Sequence, residues 1–215
     1  MTREQVEFVT KTKDLLTEDE SGVSGPRIRP YRLTVRQFER MIDAEVFPEG
    51  HHVELLGGIL VDKRAKHEPH NFAVAQLGDD LRGVLPGDWT VREEKPVRLG
   101  RFWRPEPDLA VVRGPHERYG REAPSPSDIG LLVEASDTSY AKDRGPKWAR
   151  YAASGVPAYW ITNIPAGVLE VHTNPSGKGR SAVYRETRVF RPGEGVPVVL
   201  DGREVGRVDV RRFLP

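Results

Sequence analysis

A chain of 215 residues is long enough for one domain with extensions and short for two full ones. Its composition, 37% hydrophobic and 30% charged with a mean hydropathy of -0.55, is that of a polar globular protein; no window holds the eighteen or so apolar residues of a membrane span, and cysteine is absent, which excludes a disulfide scaffold, a thiolate zinc site and a cysteine nucleophile. Thirty-three basic against thirty-two acidic residues leave a net charge of +1, so a nucleic-acid partner has to be held by a local patch. The amino end, Met-Thr-Arg-Glu-Gln, has no apolar signal core, and the expected location is cytoplasmic with no membrane association.

Residues 1–30 mix charge runs with Gly22, Gly25, Pro26 and Pro30 and read as an amino-terminal arm, with a short helix possible from residue 6 to 16. The main domain opens at Thr34-Val35-Arg36-Gln37, a capping-box pattern followed by Phe38, Met41 and Ile42 at helical spacing. Residues 53–61 read as a β-hairpin turning on Gly57-Gly58 and carrying Glu54. Apolar residues from Phe72 to Leu85 recur at helical spacing after Pro69, until Pro86-Gly87 stops them. A strand is expected over residues 89–97, a turn or strand end over 98–104, a strand over 109–112 and a buried central strand over 129–133. A helix is expected over residues 143–154, with Asp143 as its cap, Pro146 in its first turn and Gly155 ending it. Strands over 158–162 and 168–172 come next, then weaker ones around Val183, Val198 and Val208.

Two acids stand at the ends of apolar strands: Asp108 just before Leu109-Ala110-Val111-Val112, and Glu134 just after Ile129-Gly130-Leu131-Leu132-Val133. A carboxylate beside a buried sheet loses hydration at a cost of several kcal/mol, and two on neighbouring strands repel. A divalent cation with oxygen ligands, above all magnesium, relieves that repulsion and keeps positions open for water and a phosphate oxygen, which points to metal-assisted hydrolysis. Lys147, in the next helix, is a cation suited to the developing charge, and Tyr151 shares its helical face four residues on. The alternatives are ordinary: a surface lysine, a strand-edge turn residue and a helix-capping acid.

The succession Val53-Glu54-Leu55 with Gly58, His70, Pro107-Asp108-Leu109, Val133-Glu134-Ala135-Ser136, Asp143, Lys147, Tyr151 and Gly155-Val156-Pro157-Ala158-Tyr159-Trp160 resembles the Uma-two family, a branch of the PD-D/E-x-K nuclease superfamily labelled as restriction endonucleases. The resemblance covers about residues 31–175. It implies an α/β fold, a restriction-endonuclease-like mixed β-sheet flanked by α-helices, as one domain over 31–175, with 176–215 adding strands to it. It implies a magnesium-dependent endonuclease, manganese serving as well, acting on DNA as a homodimer. Asp108 and Glu134 then bind the metal, Glu54 is a supporting acid, and Lys147 stabilises the transition state from the helix, since Ser136 stands two places after Glu134 where the superfamily pattern has a lysine. His70, Ser136 and Tyr151 are supporting candidates. A lysine beside two carboxylates stays protonated, which suits an electrostatic role.

Basic residues from Arg92 to Arg104 are candidates for a track along a nucleic-acid backbone. His67 and His70 are spaced to share a metal, but no HExxH accompanies them; no nucleotide-binding glycine loop and no G-x-S-x-G elbow is present. The rival readings are a catalytically inactive nucleic-acid or protein-interaction module on the same fold, and a metal-dependent hydrolase of another phosphodiester.

Overall fold

The computed structural model describes residues 30–49, 52–63 and 66–214. The chain divides into Met1–Tyr31 and Arg32–Pro215; the arm up to residue 29, with its candidate helix, lies outside the described residues.

Thr34 starts helix α1 (Val35–Asp43) with the expected capping box: its hydroxyl accepts from the Gln37 backbone N–H, and its own N–H donates to Gln37 Oε1 at 2.9 Å. Strands β1 (Val53–Leu56) and β2 (Ile59–Asp62) form the hairpin. Gly58, at the turn, has φ +86°, and a Cβ there would lie 2.8 Å from Arg32 Cβ, so conformation and space both demand glycine. Helix α2 (Glu68–Val84) comes next, with Pro69 in its first turn.

Six strands make the main sheet, paired in chain order: β3 (Trp89–Glu93), β4 (Leu109–Arg113), β5 (Ile129–Ser136), β6 (Ala158–Asn163), β7 (Val168–Ser176) and β8 (Val183–Phe190). All neighbours are antiparallel except β5 and β6, which run parallel and so require a crossover between them. That crossover is helix α3, three contiguous segments: Tyr140–Lys142, a π-helical turn Asp143–Lys147, and Trp148–Ala153. A second hairpin, β9 (Gly195–Leu200) and β10 (Arg203–Asp209), lies after the sheet in sequence.

The period-2 alternation of the strands sends side chains to two layers. On one face Leu109, Val111, Leu131, Val133 and Trp160 pack under Val74, Leu77 and Leu81 of α2 and under the β9–β10 hairpin. On the other, Ala110, Val112, Leu132, Tyr159 and Ile161 pack against Tyr151 and Ala152 of α3 and against Val97 and Leu99. Strand β5 is buried along its whole length, as its continuous apolar run predicts. Among the described residues, no helix is long and apolar enough to cross a membrane.

Two expectations are corrected. The strand expected over residues 89–97 ends at Glu93, because Glu94 takes φ +50° and turns the chain out of the sheet while donating its N–H to the Asp108 carbonyl at 2.9 Å. Val97 and Leu99 carry the same apolar alternation, yet they use it to line the second layer rather than to pair. Asp143 does not cap a helix: α3 begins a turn earlier, and Asp143 lies buried inside it. Pro146, which has no N–H to offer an α-helical ladder, falls within the π turn, where that ladder is already interrupted. Gly155, at φ +75°, ends the helix as expected.

The β9–β10 hairpin closes tightly on the sheet at Gly130, where a Cβ would stand 2.6 Å from Leu200 Cδ2 and 2.7 Å from Trp89 Cζ3. Gly130→Ala is therefore expected to cost about 1–3 kcal/mol through overpacking, seen as a lower urea midpoint at unchanged m-value. An unchanged midpoint would show that the hairpin does not clamp the sheet there.

Candidate active site

Strand and helix periodicities meet at one place. Along β5, Leu132, Glu134 and Ser136 alternate toward α3; along α3, Asp143, Lys147 and Tyr151 recur every four residues and face back. The Lys147 ammonium lies 2.9 Å from Glu134 Oε1, 2.9 Å from Glu54 Oε1 and 3.8 Å from Asp143 Oδ1. The Tyr151 hydroxyl donates to the same Glu134 oxygen at 2.8 Å. Glu54 comes from β1; it accepts the Glu106 backbone N–H at 2.8 Å and lies 3.4 Å from Lys142 Nζ. Asp143 is held by the hydroxyls of Ser136, at 2.8 Å, and Ser139. All of Glu54, Glu134, Asp143 and Lys147 are at most 3% exposed.

Asp108 completes the cluster from the neighbouring strand. Its Oδ2 accepts the backbone N–H of Ala135 at 2.8 Å, which fixes the carboxylate beside Glu134. His70 Nε2 reaches the same oxygen at 3.2 Å, and Lys66 Nζ reaches Oδ1 at 3.3 Å while also pairing with Glu94.

Protonation is set by these neighbours. Burial alone would lower Lys147, but Glu134, Glu54 and Asp143 outweigh it and hold the ammonium well above its ordinary value. Burial would raise Glu54, yet Lys147, Lys142 and the Glu106 N–H bring it below the usual carboxylate range. For Asp108 too, burial is outweighed, here by the His70 hydrogen bond and charge, Lys66 and the Ala135 N–H, and the carboxyl ionises well below its usual range. Glu134 goes the other way: burial pushes it up to about 8, with Asp143, Asp108 and Glu54 adding repulsion that Lys147 does not cancel. Burial also raises Asp143, against the pull of Lys147 and the two serines.

The donor set suits a hard cation. It is made of carboxylate oxygens, Glu134 carries uncompensated repulsion, and Asp143 Oδ1 is buried without a hydrogen-bond partner. Among the described residues no group of three or more His, Asp or Glu side chains is placed to hold a metal ion. Asp108 and Glu134 are a pair of oxygen donors, and a cation held by them would need water or substrate for the rest of its coordination.

All seven residues singled out in the sequence (Glu54, His70, Asp108, Glu134, Ser136, Lys147 and Tyr151) come together, Ser136 through Asp143. His67 does not join His70; it is exposed at the start of α2. Sequence reasoning missed Lys66, Lys142 and Glu94 as members of the cluster, and it read Asp143, though among the residues that carry the family resemblance, only as a helix cap. The spacing of 143, 147 and 151 is the signal that places Asp143 on the face of Lys147; nothing local announces the others.

The architecture is an α/β, restriction-endonuclease-like mixed sheet flanked by helices. It is similar to the crystal structure of a "putative nuclease belonging to DUF820" from Anabaena variabilis, with a TM-score of 0.58 and 16% identity over 84% of this chain and 97% of that one. The model of the Uma2 family, described as "Putative restriction endonuclease", matches residues 35–206, and the chain belongs to that family. The match runs past residue 175, where the resemblance in the sequence stopped, and takes in β8, β9 and part of β10. No curated protein matches the chain.

Because Glu134 binds its proton more tightly in the folded chain than at its ordinary value of 4.5, its contribution to stability falls as pH rises from about 4.5 to about 8. Glu134→Gln keeps an oxygen for Lys147 and Tyr151 and removes the repulsion. In chelator the Tm of the variant relative to wild type is expected to shift in the variant's favour as pH rises from 5 to 8, because only the wild type loses stability over that range. A Tm difference of equal size at both pH values would contradict the assigned repulsion.

Proposed function

We propose that this protein is a divalent-metal-dependent endonuclease that hydrolyses phosphodiester bonds in DNA. The observation that carries the reading is the buried Lys147 ammonium, placed 2.9 Å from Glu134 by α3 rather than by a position next to Glu134 in sequence, in a cluster that also holds Asp108. Family membership and the nuclease-like fold support it.

In this reading Asp108 and Glu134 hold magnesium or manganese, which when bound lowers the pKa of a coordinated water and polarises the phosphate. Lys147 and Tyr151 both engage Glu134 Oε1 and hold its carboxylate in place, and Glu134 with Asp108 would hold the cation. Lys147 is held too firmly as an ammonium to take a proton; it stabilises charge on the phosphoryl oxygens and orients the attacking water. Glu54, ionised and buried, positions the lysine, and Ser136 acts through Asp143 in the same way. His70 holds Asp108 in place. Cutting both strands of a duplex calls for two such sites, and a homodimer in the cytoplasm is part of the proposal.

The full chain is tested on supercoiled, linear and single-stranded DNA with magnesium, manganese or chelator, beside Asp108→Asn and Lys147→Gln, with circular dichroism as the check on folding. Metal-dependent nicking is expected, falling by about 10²-fold or more in either variant. Calorimetric metal binding is expected to vanish in Asp108→Asn and persist in Lys147→Gln. A folded wild-type chain that cuts none of these DNAs would sink the reading and favour an interaction module or another phosphodiester.

A further inference from the structure

Several arginines near β3 and β4 are already neutralised. Arg82 pairs with Asp79 and Glu93, Arg104 with Glu39 and Glu106, Arg113 with Asp88 and Asp201, and Arg118 with Asp128. Arg92, on β3, makes no ion pair among the described residues. Its guanidinium is partly buried, its Nε is buried without a hydrogen-bond partner, and its plane rests over the Tyr119 ring, 5.0 Å from the centroid. Burial of that charge pulls its pKa below the ordinary value. A half-buried cation without a counter-charge costs free energy that a bound anion would return.

The surroundings carry a net positive charge. Arg92 lines an open cavity of about 470 Å³ together with Arg82, Glu93, Lys95, His116 and Tyr119. Arg82 is cancelled by Glu93, at 3.0 Å, which leaves Arg92 and Lys95 as the uncompensated charge. Tyr119 is fixed by donating its hydroxyl to the Arg113 carbonyl, at 2.5 Å, and His116 is fixed by Thr90, at 3.0 Å, so the platform under the guanidinium is set in advance.

Its place relative to the acid cluster is given by strand register. Arg92 pairs with Ala110, and Asp108 immediately precedes β4, two residues before Ala110. Two residues of extended chain span ~7 Å, about two steps of the ~3.4 Å axial rise per phosphate of a duplex strand. We propose that Arg92, with Lys95 and His116, binds a backbone phosphate of a polynucleotide strand, one or two phosphates from the one held at Asp108 and Glu134. This rests on the nuclease reading for the identity of the ligand, but the cleft acts before and without cleavage.

The test uses the full chain in chelator, where no cutting occurs, and follows the anisotropy of fluorescein-labelled single-stranded and duplex oligonucleotides across a salt series. Arg92→Ala is expected to weaken binding about tenfold on every sequence and to reduce the slope of log affinity against log salt by about 1. Arg92→Lys should recover most of the slope, since the charge remains. Arg203→Ala, at the far hairpin, should change neither. Binding within twofold of wild type and a parallel salt slope in Arg92→Ala, with folding confirmed by circular dichroism, would overturn the proposal. So would equal displacement by millimolar inorganic phosphate at constant ionic strength, which would mark a site for free phosphate. Wild-type protein that binds the oligonucleotides through Arg92 but cuts nothing when metal is supplied would leave the cleft standing and defeat the nuclease reading; wild-type protein that binds none of them would defeat the cleft.

Discussion

A single ammonium in a buried nest of carboxylates sets the terms for the rest of this structure. Lys147 sits within 4 Å of Glu134, Glu54 and Asp143, contributed by the central strand, the first hairpin and its own helix. Charges this deep are tolerated only with their partners in place, since breaking a buried pair costs about 3–5 kcal/mol. The hairpin, the sheet and α3 are therefore bound to one arrangement by electrostatics as well as by their apolar layers. The π turn from Asp143 to Lys147 belongs to the same constraint: an extra residue in the turn rotates the rest of the helix, and both Asp143 and Lys147 end up facing β5.

The two carboxylates assigned to the cation differ sharply although they lie side by side. Asp108 is surrounded by His70, Lys66 and a backbone N–H and ionises easily; Glu134 is surrounded by other acids and resists ionisation. Environments that push the pKa values of neighbouring acids apart occur in sites of acid–base chemistry and in buried ion-pair networks alike. The serine that stands two places after Glu134 is not a gap in that organisation, because Ser136 supports Asp143, and Asp143 backs the lysine that arrives from the helix.

Much of this was legible in the chain. The capping box at Thr34, the Gly57-Gly58 turn, the period of α2 and the apolar runs of β4, β5 and β6 each carry a local signal strong enough to survive tertiary packing. The acids were legible because Asp108 and Glu134 break apolar runs, and a resemblance in order and spacing tied Glu54 and Lys147 to them. What escaped was non-local. The alternation through Val97 was real, but whether it feeds a ladder or a buried extended segment depends on Glu94 adopting a left-handed backbone, which a glutamate does not announce. Asp143 has a residue type and position equally suited to a cap; the helix starting at Tyr140 and the bond from Ser136, on another element, decide the matter. Lys66 and Glu94 meet Asp108 across loops that no spacing rule connects.

The bond from Ala135 to the Asp108 carboxylate gives the sheet a further property. Strands β4 and β5 pair through their backbones as far as Leu109 and Val133; beyond that the next amide is taken by a side chain. The acid cluster thus stands at a fork, where two strands part and an aspartate holds the junction. Because side chains alternate between layers, a slip of one residue between these strands would turn Val133 and Ala135 toward Lys147 and drive Glu134 into the apolar layer beneath α2. Strand alignment here is set twice, once by hydrophobic burial and once by the carboxylate at the fork, so an error in pairing would cost this protein its acid cluster together with its core.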